Sequence, residues 1–276
     1  MMSGAPKSCR LALGCALCAV AMAIGSPARA VRDDLQRIVQ RECLPDWLQR
    51  RDPAPCLAVQ TRDGAGAAGS GYAVLADRKG GAHFLLIPLR TLGGIESAAL
   101  LQAGAPNYFA AAWDARERLV PGVLHLLPAD EVGLAVNSRF SRGQDQLHIH
   151  IECQGEALHA RLQAAALRLT AQWTPLKVDG DTYQARRVLG TTLEGADPFR
   201  LLAEGLPAAR AHMGYYTLVV AGMQFADGPG FALLARRAVL RGGERLLDGT
   251  CALQPARRRG RAQRRLRRHP CAERLV

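Results

Sequence analysis

Two imidazoles and a carboxylate alternate along one short stretch, Leu147-His148-Ile149-His150-Ile151-Glu152. In an extended chain residues two apart share a face. His148, His150 and Glu152 therefore point one way, while Leu147, Ile149 and Ile151 bury the other. Such a row suits three kinds of chemistry. Two imidazoles and a carboxylate can hold zinc. A neutral imidazole can instead attack phosphorus and form a covalent phosphoramidate. Or the three are simply polar side chains on the solvated face of an edge strand. The six residues alone leave all three readings open.

The flanking sequence supplies the elements that must position this row. Asp33-Asp34 followed by Leu35, Ile38 and Val39 predicts a capped amphipathic helix that ends near Cys43-Leu44-Pro45. Residues 63–69 are Gly-rich and read as loop. Gly71 to Leu75 and His83 to Ile87 predict two strands of a hairpin turning through Asp77-Arg78-Lys79-Gly80-Gly81, with Pro88 ending the second. Pro106-Asn107 opens a helix that places Phe109, Ala112, Trp113 and Arg116 on one face. Glu131 to Asn137 and Gln146 to Glu152 form a second antiparallel hairpin across the polar connection Ser138 to Gln144. Glu156 to Thr170 is a helix with Leu158, Leu162, Ala165 and Leu169 as its stripe. Asp197-Pro198 starts another helix, and Pro207 opens a short one that Gly214 closes. Tyr215 to Ala221 and Phe231 to Ala235 make the third hairpin. Hairpins interleaved with helices imply an α+β fold, an antiparallel sheet with packed helices.

The chain has 276 residues, 49% of them hydrophobic, enough for one large core. Its formal charge of +12 is concentrated at the end. From Cys251 onward there are nine arginines against one glutamate, so the pI says little about the folded body. Residues 255–276 form an Arg-rich tail with little apolar content, expected to be disordered. If that tail binds anything, an anionic membrane surface is the natural partner of an exported chain. Nucleic acid is not expected as a partner, and the sequence does not specify an oligomeric state.

Export is read from residues 1–30. Lys7 and Arg10 precede an apolar run from Leu11 to Gly25, and Ala28-Arg29-Ala30 offers a small-x-small cleavage site. The run is shorter than the roughly 20 residues that span a bilayer comfortably, so either a cleaved signal or a retained anchor fits. The expected location is the periplasm or the periplasmic face of the inner membrane. Outside the cytoplasm Cys43, Cys56, Cys153 and Cys251 are expected to pair. Four cysteines allow three pairings; Cys43 with Cys56 and Cys153 with Cys251 is the preferred one. Cys153 faces away from the histidines, which argues against a thiol nucleophile.

Spacing around the central strand narrows the chemistry. Asn137 lies seven residues before Gln144, and Gln144 four before His148. This Asn…Gly-Gln-x-x-x-His-x-His pattern resembles the active-site strand of the histidine-triad superfamily of nucleotide hydrolases and transferases. The resemblance is closer to its exported CDP-diacylglycerol pyrophosphatase branch. It is carried by Gly71-Tyr72-Ala73-Val74-Leu75, Leu85-Leu86-Ile87-Pro88, Gly94-Ile95-Glu96-Ser97, Pro106-Asn107-Tyr108-Phe109 and Trp113-Asp114-Ala115-Arg116. It continues through Ala135-Val136-Asn137-Ser138-Arg139, Leu147-His148-Ile149-His150-Ile151, Ala185-Arg186-Arg187-Val188, Asp197-Pro198-Phe199, Leu202-Ala203-Glu204 and His212-Met213-Gly214. The similarity covers about Leu35 to Cys251, and the Arg-rich tail lies outside it.

What the resemblance implies is a histidine-triad-like domain over residues 31–254 that hydrolyses CDP-diacylglycerol to CMP and phosphatidate through a nucleotidyl-histidine. No metal and no cofactor are required by that scheme. His148 and His150 are the catalytic pair, with Asn137, Ser138, Arg139, Gln144 and Glu152 as candidates to bind substrate or phosphate. Arg142, Arg186 and Arg187 are further candidates for diphosphate charge, while His212, near the end of a short helix, reads as a capping or packing histidine, and His83 and His125 have no supporting pattern. In the superfamily the middle of three places is the nucleophile. Counting from Gln144 puts His150 there and Glu152 in the third place, which is the preferred assignment. Counting from Gln146 makes His148 the nucleophile and His150 the third residue. Two other readings stay in view: a zinc-dependent hydrolase using His148, His150 and Glu152, and a lipid- or nucleotide-binding envelope protein without catalysis.

Overall fold

The computed structural model describes Met1 and residues 32–61, 71–118 and 127–252. Residues 2–30, expected from the sequence to be a signal or anchor, the Gly-rich loop over 63–69 and the Arg-rich tail lie outside the described residues. The sheet runs in the order β1-β2-β3-β5-β4-β8-β9-β7-β6, antiparallel at every pairing. Its strands are β1 (Ala58–Gln60), β2 (Tyr72–Ala76), β3 (Phe84–Pro88), β4 (Val132–Val136), β5 (Ile149–Gln154), β6 (Thr174–Val178), β7 (Asp181–Leu189), β8 (Tyr216–Phe225) and β9 (Gly228–Arg237). A short β10 (Leu247–Asp248) pairs with Gln154 and Cys153 at the far end of β5.

The three expected hairpins are β2–β3, β4–β5 and β8–β9, so the α+β antiparallel reading holds. Four strands were not foreseen. The hairpin β6–β7 is the largest omission, and it turns on Asp179-Gly180, both with positive φ, the signature of a tight two-residue hairpin turn. Pro175 and the charged, half-exposed strands around that turn mask the alternation that periodicity needs.

Helices are α1 (Asp34–Ile38), α2 (Leu44–Arg50), α3 (Tyr108–Arg118), α4 (Glu156–Ala165), α5 (Pro198–Gly205) and α6 (Pro207–Ala211). A π-helical turn, Val39–Cys43, joins α1 to α2, so the helix passes through Pro45 rather than ending there. Pro45 is tolerated because it falls in the first turn of the second segment, where no donor is needed.

The sheet buries both faces. On one, Val74, Leu86, Leu134, Ile149 and Ile151 pack with Phe109 and Trp113 of α3 and Phe199 of α5. On the other, Ala135, Val219 and Leu234 pack with Leu158 and Leu162 of α4. A smaller cluster joins Leu35, Val39 and Cys43 to Ala73, Leu85 and Ile87 of the β2–β3 hairpin. The disulfides Cys43–Cys56 and Cys153–Cys251 are both formed, in the preferred pairing. His148 and His150 lie between the last two packing layers, His150 paired with Leu85 of the smaller cluster on one side and Ala135 on the other.

Candidate active site

His148 and His150 floor a cleft of about 710 Å³. One wall is α1 and the turn after it, with Leu35, Arg37, Ile38 and Glu42; the β2–β3 turn adds Asp77, Arg78 and Lys79. Gly143, Gln144 and Glu244 also line it. The strand does not simply present its polar row to water, as an edge strand would. β5 lies between β3 and β4, and His148, His150 and Glu152 are all buried. Burying such groups is costly unless each is paired, and the pairing shows their chemistry.

His148 is held by its backbone. The Gln146 side chain accepts from Leu92 N–H (3.2 Å) and donates to the carbonyls of Pro88 (3.0 Å) and Arg90 (2.9 Å), pinning the strand entrance. Leu147 N–H then donates to the Leu92 carbonyl at 2.7 Å. The Gln146 carbonyl accepts from His148 Nδ1 at 2.8 Å. A carbonyl only accepts, so Nδ1 carries the hydrogen and Nε2 keeps its lone pair. Burial, and then the neighbouring charge on His150, lower the His148 pKa to about 4. Its imidazole is neutral at physiological pH.

His150 has the opposite character. Its ring meets that of His148 edge-on, centroids 5.1 Å apart. Its Nε2 lies 2.9 Å from Glu244 Oε2 and its Nδ1 3.3 Å from Glu152 Oε1. The angles are poor for hydrogen bonds, so these are charge contacts at short range. Burial alone would lower the His150 pKa, but the two carboxylates outweigh it and push it up to about 9. Glu244 responds in kind: burial would raise it, yet His150, helped by Lys79 and Asn137, holds it down to about 2. His150 is therefore an imidazolium between two carboxylates. Glu152 also lies 3.1 Å from His83 Nδ1 on the side away from the cleft.

The sequence-derived candidates separate into those in the cleft and those outside it. Gln144 lines it and accepts from Leu35 N–H at 3.0 Å, tying α1 to the site. Asn137 acts at one remove: its Oδ1 accepts from Glu244 N–H at 3.4 Å. Ser138 is buried, bonded to Ser141 and to the Ala238 carbonyl, and Arg139 stacks on Phe140. Neither lines the cleft. Arg142 is spent on Glu96 and Asp145, Arg187 on Asp227, and Arg186 lies over Trp173. The cations that do line the cleft, Arg37, Arg78 and Lys79, were not singled out. Nor was Glu244, on the 3-10 turn Gly243–Leu246. The available signal was Gly242-Gly243 just before it: a Cβ at either would strike Asn137 or Thr217, so only glycine lets this turn close on the sheet. Among the described residues no three His, Cys, Asp or Glu side chains are arranged to hold a metal ion. His148, His150 and Glu152 do not converge as zinc ligands would.

A neutral imidazole with a free Nε2 beside a buried imidazolium, on the central strand of an antiparallel α+β sheet, is an arrangement that can offer a nitrogen lone pair together with a cationic partner for an anion. The family model for CDP-diacylglycerol pyrophosphatase matches residues 30–255. A CDP-diacylglycerol pyrophosphatase of Yersinia pestis is 38% identical over 230 residues, which is 81% of this chain and 85% of that relative. The chain belongs to the CDP-diacylglycerol pyrophosphatase family.

Proposed function

We propose that this protein hydrolyses CDP-diacylglycerol to CMP and phosphatidate, with His148 as the nucleophile. The observation that carries the assignment is the opposite protonation of two adjacent imidazoles: His148 neutral with Nε2 free, His150 charged. Spacing counted from Gln144 favoured attack by His150. A protonated imidazole has no lone pair to give, whereas the count from Gln146 agrees with the geometry.

In the first step the His148 Nε2 lone pair forms a bond to the cytidylyl phosphorus. The bond from phosphorus to the bridging oxygen breaks, and phosphatidate leaves with its electrons. His150 turns its Nε2–H from Glu244 to a phosphoryl oxygen, stabilising charge that grows in the transition state. Lys79, whose charge also helps to hold Glu244 ionised, and Arg37 and Arg78, both paired with Asp34, add positive charge to the cleft wall beside the diphosphate. In the second step water attacks phosphorus and the N–P bond breaks, returning the electron pair to Nε2. Glu244, released from His150 by the phosphate and one-third exposed at 34%, accepts the proton that water loses. Export is supported by the two disulfides, and residues 1–30 are proposed as the signal or anchor.

The test is trapping. Protein is incubated with substrate labelled in the cytidylyl phosphate, quenched in base, and the labelled residue mapped. Label on His148 is expected; label on His150 reverses the assignment, and CMP release without any labelled histidine removes the covalent mechanism. Binding without turnover would leave a non-catalytic lipid or nucleotide binder.

A further inference from the structure

Three loops meet beside the cleft and end in an apolar tip. After β4 comes Ser138 to Arg142, before β8 the turn Met213–Tyr215, and after β9 residues 238–242. They interlock through Arg139 N–H to the Gly214 carbonyl at 2.9 Å and Ala238 N–H to the Tyr215 carbonyl at 2.7 Å. The rings of Phe140 and Tyr215 lie 4.6 Å apart. Out of this base stand Leu240, 90% exposed, Val239 at 56% and Phe140 at 43%. A lone exposed leucine is ordinary. Three apolar side chains on adjoining loops form a patch, and patches mark interaction sites.

The surroundings carry one sign of charge. Arg139 lies over Phe140 and Arg237 over Tyr215, and Arg241 follows Leu240. None of these three pairs with a carboxylate among the described residues. The nearby acids are already engaged: Glu96 with Arg142, Glu244 with His150, and Asp181 with Arg236 and Arg245. Aliphatic side chains at a tip, ringed by unpaired guanidinium groups, match a surface that is anionic outside and apolar beneath. The patch is also continuous with the site. Gly143 and Gln144, at the end of the first loop, and Glu244, three residues after Arg241, line the cleft.

We infer that the patch of Phe140, Val239, Leu240, Arg237 and Arg241 docks on an anionic phospholipid bilayer and sets the cleft mouth against it. In one respect this rests on the proposed function, since a substrate held in a bilayer is what makes the placement useful. The test does not measure hydrolysis, so the two can fail separately.

Residues outside the patch, including the Arg-rich tail, can bind membranes too, so the readout must be local. Leu240→Trp in the full chain is mixed with vesicles of phosphatidylcholine and phosphatidylglycerol, some with brominated acyl chains, and compared with the parent protein. The added tryptophan is expected to shift to the blue and be quenched by the brominated lipid, with much weaker effects on pure phosphatidylcholine. At an anionic surface each basic side chain is worth roughly fivefold in partitioning, so adding Arg237→Gln and Arg241→Gln weakens the local signal roughly 30-fold. Vesicle binding that leaves the added tryptophan unchanged places membrane contact elsewhere and overturns the inference. A blue shift that grows with protein concentration in the absence of vesicles, together with a doubled mass, shows that the patch meets a second copy and overturns it equally.

Discussion

Glu244→Gln removes one of the two charges that keep His150 protonated while preserving the shape of the side chain. Glu244 sits 2.9 Å from Nε2 and is one-third exposed. A carboxylate within about 4–6 Å of a cationic group shifts its pKa by about 1–3 units, and solvent screening puts this charge contact in the lower half of that range. Its loss lowers the His150 pKa by about 1.5 units, worth about 2 kcal/mol, from about 9 to about 7.5. Glu152 remains, so the ring does not return to the behaviour of an unpaired buried imidazole. The assay is the pH dependence of kcat/KM, which covers steps only through the departure of phosphatidate and reports groups of the free enzyme. Loss of Glu244 as proton acceptor in the second step does not enter. The alkaline limb is expected to move down by about 1.5 pH units, leaving activity roughly eightfold below the parent at pH of about 8.5 and nearly equal at about 6. A limb that stays where it was, or a loss of the same size at every pH, would refute the counter-ion role.

The parent protein should itself show a plateau in kcat/KM between about 4, where His148 gains a proton, and about 9, where His150 loses one. Activity still climbing as pH approaches 9 would mean that deprotonated His150 attacks. His148→Ala should form no labelled adduct. His150→Ala should still form it, slowed 10²–10³-fold as for loss of one oxyanion donor, which rapid-quench sampling can distinguish. Cys153–Cys251 closes a far longer loop than Cys43–Cys56, with separations of 98 and 13 residues. Chain entropy assigns about 4.7 and about 3 kcal/mol to loops of such lengths. Replacing the former pair by alanine should therefore lower the Tm more, as calorimetry would show.

The histidine row was legible because a strand repeats every two residues, so composition and geometry coincide over six positions. The partner that gives His150 its charge was not. Glu244 is 94 positions further along, and nothing about a single glutamate in an Arg-rich loop separates it from a solvated one. The clue lay in the two glycines before it, which mark a close approach without saying to what. Arg78 and Lys79 were concealed differently: they occupy a hairpin turn, where charged residues are ordinary, and only the packing of α1 across that turn makes it a cleft wall. Ser138 and Arg139 show the reverse error, since adjacency to Asn137 in the chain does not carry them into the cleft. The strand turns outward there, and Ser138 serves the loop.

Gln146 gives the site a division of labour between side chain and main chain. Its amide knits three loop groups together, while its carbonyl alone fixes which nitrogen of His148 is presented. Any residue at this position would offer the same carbonyl, so the tautomer is encoded by the path of the chain and not by the letter in the sequence. On the proposed count from Gln146, a first place occupied by glutamine in place of histidine is then no defect. Substituting it should loosen the loop around Leu92 before it disturbs the nucleophile, and mutational tolerance at this position should follow backbone order more closely than side-chain chemistry.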